Sequence, residues 1–141
     1  MAVAKSFRDL NVYKLARESA LRVFDLTKQF PKEERFSLTD QIRRSSRAVG
    51  AIIAEAWARR SYKAAFVNKL NEALGEALET QSWLDASFDC KYATEDECRS
   101  LNMNYDHIGG MLRRMTDRAD DFCRFPAATD YRTPQPEGGV P

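Results

Sequence analysis

Residues 38–57, LTDQIRRSSRAVGAIIAEAW, decide the fold. Leu38, Ile42, Ser45, Val49, Ile52 and Ala56 fall alternately four and three apart, the spacing that brings side chains onto one seam of a helix. Ser46, Ile53 and Trp57 form a neighbouring row, so the stripe is wide enough to face two partners. The pattern predicts a helix that begins around Ser37 and ends at Arg59-Arg60-Ser61, where cations suit the negative end of the helix dipole.

The same period extends in both directions. Upstream, Leu10, Tyr13, Ala16, Ala20, Phe24 and Thr27 mark the apolar face of a first helix, with Asp9 as its expected N-cap. Phe30-Pro31 closes it, because a residue before proline avoids helical angles. Downstream, a third helix is expected from Lys63 to Phe88, with Phe66, Leu70, Ala73, Leu74, Ala77, Leu78, Gln81, Leu84 and Phe88 on its face. A fourth opens at Thr94, where Glu97 three residues later completes a capping box, and continues through Cys98, Leu101, Tyr105, Ile108, Leu112, Met115, Ala119 and Phe122 to Arg124. Turn signals are too few for a β-sandwich or barrel. The expected architecture is all-α: an antiparallel up-down-up-down four-helix bundle over residues 1–125, because short loops make sequential helices neighbours. Residues 126–141 hold four of the five prolines and read as a flexible Pro/Gly-rich tail. Gly75 inside the third helix suggests a close helix crossing, and Gly109-Gly110 a kink in the fourth.

Composition limits the chemistry. A net charge of +1 argues against a strongly basic nucleic-acid binder while leaving room for a local patch. No stretch approaches the roughly 20 apolar residues of a membrane span, and the opening ten residues lack a signal-peptide core, so a cytoplasmic protein is expected. Cys90, Cys98 and Cys123 are odd in number, lack C-x-x-C spacing and are expected as free thiols. His107, the one histidine, rules out paired Glu-x-x-His motifs and has Asn104 where a glutamate would stand. No phosphate-binding glycine loop, nucleophile–base pair or metal cluster is visible, so neither catalysis nor a metal or other cofactor is expected.

Six cations stand out. Arg43, Arg44 and Arg47 lie within two turns of the second helix, and Arg59, Arg60 and Lys63 lie at the turn to the third. Two readings stay open. They grip nucleic-acid phosphates, or they are neutralised. Asp40 precedes Arg44 by four residues and Glu55 precedes Arg59 by four. A turn near Ser61 would also bring Arg43 and Arg44 opposite Glu79, and Arg47 opposite Glu76. Charge is segregated along the chain: residues 1–31 and 32–61 each carry net +3, residues 62–92 and 93–125 each net −2. Opposite patches on one subunit could meet head-to-tail and close a ring. Tyr62, Trp57 and Trp83 are either core or contact residues.

The runs Phe7-Arg8-Asp9-Leu10-Asn11-Val12-Tyr13, Phe30-Pro31, Leu38 to Ser46, Ile53-Ala54-Glu55 and Ala73 to Gln81 together resemble proteins encoded in intervening sequences of bacterial 23S ribosomal RNA genes. The resemblance spans residues 6 to about 120. One stretch departs from it: Ile52-Ile53-Ala54-Glu55-Ala56 stands where the family often has Asn-Ile-Ala-Glu-Gly. The resemblance implies a four-helix bundle, a cyclic homopentamer and a bacterial cytosolic protein without established catalysis. A related branch, the accessory protein of diversity-generating retroelements, is a basic pentameric barrel that binds nucleic acid and a reverse transcriptase. By that analogy Arg43, Arg44 and the Arg59-Arg60 pair are candidate phosphate contacts. Two functions are therefore carried forward: an oligomer that binds RNA or DNA, and a protein–protein scaffold.

Overall fold

The computed structural model describes residues 3–123. Four long helices follow one another: α1 (Asn11–Thr27), α2 (Leu38–Ala58), α3 (Lys63–Asp89) and α4 (Glu95–Asp117). A short α5 (Ala119–Cys123) follows, and 3-10 turns occupy Phe7–Asp9 and Lys32–Glu34. Each long helix packs on its chain neighbour, and α1 closes against α4, which makes the four-membered antiparallel bundle. At 17 to 27 residues the long helices span roughly 26–40 Å. The tail expected over residues 126–141 lies outside the described residues.

The seam of α2 is buried as its spacing predicts, with Leu38, Ile42, Ser45, Val49 and Ala56 inside, although Ile53 rather than Ile52 is fully covered. The expected seam of α4, from Cys98 to Ala119, is buried throughout. On α1 the expected face holds in part, with Leu10, Ala16 and Thr27 buried. Val12, Ala16, Ser19, Val23 and Leu26 are buried, while Tyr13, Ala20 and Phe24 lie half-buried on the flank. On α3, Leu78 and Phe88 are exposed, and Thr80 and Ser87 take core positions.

The ends depart from expectation in instructive ways. Asp9 does not cap α1; it closes a capping box with Ser6 around the preceding 3-10 turn, and α1 starts after Leu10 without a side-chain cap. The Thr94–Glu97 box does cap α4, with Glu97 N–H donating to Thr94 Oγ1 at 3.1 Å and Thr94 N–H to Glu97 Oε1 at 2.9 Å. The fourth helix does not reach Arg124 unbroken: it ends at Arg118, where φ is −108° and ψ is 29°. It is continuous through Gly109-Gly110. Phe122 of α5 stacks on Phe66 at 5.8 Å, and Lys63 pairs with Asp120 at 2.9 Å.

One cross-section of the core is polar. Ser45 and Thr80 hydroxyls hydrogen-bond at 2.8 Å between α2 and α3, and Asn104 Nδ2 donates to Ser19 Oγ at 3.1 Å between α4 and α1. Tyr105 contributes a buried hydroxyl with no partner among the described residues. Each satisfied pair ties two helices in one register, because a slip would bury its hydroxyls unpaired.

Candidate nucleic-acid interface

The six cations do not form one patch. Phe24 lies half-buried on the flank of α1 that faces α2, and three cations gather on its ring. The Arg43 guanidinium lies 4.6 Å from the ring centroid, Arg47 5.6 Å, and Lys28 Nζ 4.9 Å. These are cation–π distances. Arg43 Nε also donates to Thr27 Oγ1 at 2.7 Å, and Lys28 pairs with Asp25 at 3.4 Å on the open surface.

Arg44 faces the opposite way. It pairs with Glu76 at 3.3 Å and with Glu79 on α3. The hydrogen bond to Glu79, helped by the charge of both carboxylates, raises its already high pKa against the cost of burial. Of the three α2 arginines, Arg44 is the one that meets the expected carboxylates. Arg43 and Arg47 turn to α1 because adjacent helical positions diverge by about 100°. The expected intrahelical pairs are also replaced: Glu55 pairs with Lys69 on α3 at 2.9 Å rather than with Arg59, and Arg44 reaches α3 rather than Asp40.

The turn residues form a third group, remote from the first. Arg60 stacks on Trp57 at 3.6 Å, its Nε donating to the Trp57 carbonyl at 2.8 Å, and burial lowers its pKa. Lys63 is engaged by Asp120. Arg59 is exposed. Twelve residues of helix separate Arg47 from Arg59, which is roughly 18 Å.

Sequence reasoning missed Phe24 and Lys28 as companions of Arg43 and Arg47. The signal was present in the spacing of α1 but needed the facing of α1 on α2 to be read. The loop after α1 adds Lys32, Arg35 and Phe36, with Arg35 5.7 Å from the Phe36 ring. This end is pinned to the α3–α4 loop. Tyr92 Oη donates to Glu34 Oε2 at 2.8 Å, which pushes the phenol up to about 12, and Gln29 Nε2 donates to the Tyr92 carbonyl at 2.8 Å.

Other chemistry is sparse. His107 is exposed on α4. Cys90, Cys98 and Cys123 are free, and burial raises the pKa of Cys98. No group of three or more His, Cys, Asp or Glu among the described residues could hold a metal, and none of their helices is long and apolar enough to cross a membrane. Trp57 and Trp83 are half-buried, the latter donating from Nε1 to Glu79 at 3.1 Å, whereas Tyr62 is exposed.

A family model described as 23S rRNA-intervening sequence protein matches residues 8–114. Among solved structures, the chain is similar to a protein of unknown function from the S23 ribosomal protein family of Bacteroides thetaiotaomicron VPI-5482. The two are 34% identical, the match covers 75% of this chain and 95% of that one, and the TM-score is 0.68. No curated protein matches.

Proposed function

The chain belongs to the 23S rRNA-intervening sequence protein family, and from that premise we propose that it is a non-enzymatic, homo-oligomeric bundle of the cytosol that binds RNA or DNA through the α1–α2 face. The observation that carries the reading is the convergence of Lys28, Arg43 and Arg47 on Phe24. Arg43 meets the Phe24 ring and the Thr27 hydroxyl, and Arg47 meets the ring, partners that hold a guanidinium in place without cancelling its charge. A phosphodiester supplies the missing negative charge, and each contact releases condensed counterions. Binding of labelled RNA should therefore weaken steeply with salt. Replacing Arg43 and Arg47 by glutamine should lower the slope of log affinity against log salt by about two. Absence of binding at low salt overturns the reading.

The oligomer is proposed as a ring of five, supported by the family resemblance and by charge: the α1–α2 half of the sequence is net basic and the α3–α4 half net acidic. A subunit with one basic and one acidic flank makes head-to-tail contacts, and these close when the rotation permits.

A second reading, a protein–protein scaffold, is favoured by Leu21, Leu78 and Met103, which are all more than half exposed on three different helices. It predicts that a partner protein is bound with no salt-dependent nucleic-acid affinity.

A further inference from the structure

Phe36, in the loop between α1 and α2, is 86% exposed, the most open large hydrophobic side chain among the described residues. A protein-docking phenylalanine sits in an apolar surround. Phe36 sits among charges: its chain neighbours are Lys32, Glu33, Glu34, Arg35 and Ser37. The Arg35 guanidinium lies 5.7 Å from its ring centroid. Glu34 is turned inward, accepting from the Leu38 N–H at 3.2 Å and from Tyr92 Oη at 2.8 Å. Asp25, Glu33 and Asp40 are the exposed carboxylates on this side, and Asp25 pairs with Lys28 at 3.4 Å; Lys32, Arg35, Arg43 and Arg47 leave the side net positive. Phe36 precedes α2 by two residues, so Arg43 follows on the order of 10 Å further along that helix.

An open aromatic face beside an arginine, leading into a row of cations, is the combination that holds single strands: phosphates track the cations and an unstacked base lies on the ring. A duplex keeps its base faces stacked inside and cannot use the ring. We propose that Phe36 is a base-stacking platform and that the ligand of the α1–α2 face is single-stranded nucleic acid. The proposal rests on the nucleic-acid reading above and adds to it the form of the ligand and a residue that carries no charge.

The test is a fluorescence-anisotropy titration of the full chain with short oligouridylate, oligothymidylate and a blunt duplex, using wild type, Phe36→Ala and Phe36→Trp. The side chain is almost wholly in solvent, so both variants should fold as wild type does. Single strands should bind more tightly than the duplex. Phe36→Ala should lose about 5- to 100-fold in single-strand affinity with an unchanged salt slope, and Phe36→Trp should retain it. A loss on either oligomer supports the proposal, and the one affected names the polymer. It is overturned if Phe36→Ala stays within about twofold of wild type, or if the duplex binds as well as single strands. It is also overturned if Phe36→Ala alters the mass in light scattering and leaves affinity intact, which makes the ring a subunit contact. In each of those cases salt-dependent binding by wild type persists, so the nucleic-acid reading survives; loss of all wild-type binding removes that reading itself.

Discussion

A Cβ built on Gly75 would meet nothing within 4 Å, so the close crossing expected from its mid-helix position is absent, and the glycine is a plain helix weakness. Gly75→Ala should raise the unfolding free energy by about 0.5–1 kcal/mol in a denaturant titration. Gly109 is the glycine that faces the neighbouring helix instead, where a Cβ would lie 3.4 Å from Leu74 Cδ1, in ordinary van der Waals contact. Only the placement of α3 on α4 distinguishes the two. Tyr105 is buried with a hydroxyl that has no partner among the described residues, and desolvation raises its pKa. Tyr105→Phe should be neutral or stabilising by on the order of 1 kcal/mol, since it removes an unmet hydrogen bond. Glu97 has its pKa lowered from 4.5, chiefly by its bond from the Thr94 N–H. A lowered folded pKa means that its contribution is complete above 4.5 and is lost as pH falls through the folded value. In thermal unfolding, Glu97→Ala should be less stable than wild type at neutral pH, and the gap should narrow in acid. The capping box could be read from spacing alone because all its partners lie within four residues.

At the scale of elements, the end of α3 shows what no spacing rule supplied. Lys91 takes φ of 64°, a left-handed conformation that favours glycine. Tyr92 N–H reaches back to the Ser87 carbonyl at 2.9 Å and Lys91 N–H to the Phe88 carbonyl at 2.9 Å, which closes the helix in a Schellman motif. Lys91→Gly should leave these bonds intact and relieve the side chain's steric cost, raising stability by about 0.5–1 kcal/mol in thermal or denaturant unfolding. The face of α1 is legible only in part: Leu10, Ala16 and Thr27 are buried as their spacing predicts, but Val12, Ser19, Val23 and Leu26 are buried with them and Tyr13, Ala20 and Phe24 stay on the flank. The flank position puts the Phe24 ring within reach of Arg43 and Arg47.

For the whole molecule, the adjacent arginines of α2 divide its work. Arg44 joins α2 to α3 through carboxylates and is half-exposed, so Arg44→Gln should cost about 0.5–1 kcal/mol while any RNA affinity persists. Arg43→Gln with Arg47→Gln should show the reverse, a weakened salt-dependent affinity with little change in stability. Unfolding and anisotropy measured on the same variants separate the two roles. The proposed ring is checked by light scattering at low and high salt: an oligomer is expected at low salt, and a monomer at both removes it.

What the amino-acid sequence determined by itself is the set of four amphipathic helices, their antiparallel order, the seams of α2 and α4 and the capped start of α4. These depend on periodicity and on contacts within a turn or two, which the linear order contains. The tertiary structure alone decided which α2 arginine meets carboxylates, which glycine faces a neighbouring helix, and that Phe24 collects three cations. Each of those outcomes depends on how one helix is rotated against another. That rotation is set by the balance of packing and buried hydroxyl pairing over the whole core, not by any local run of residues.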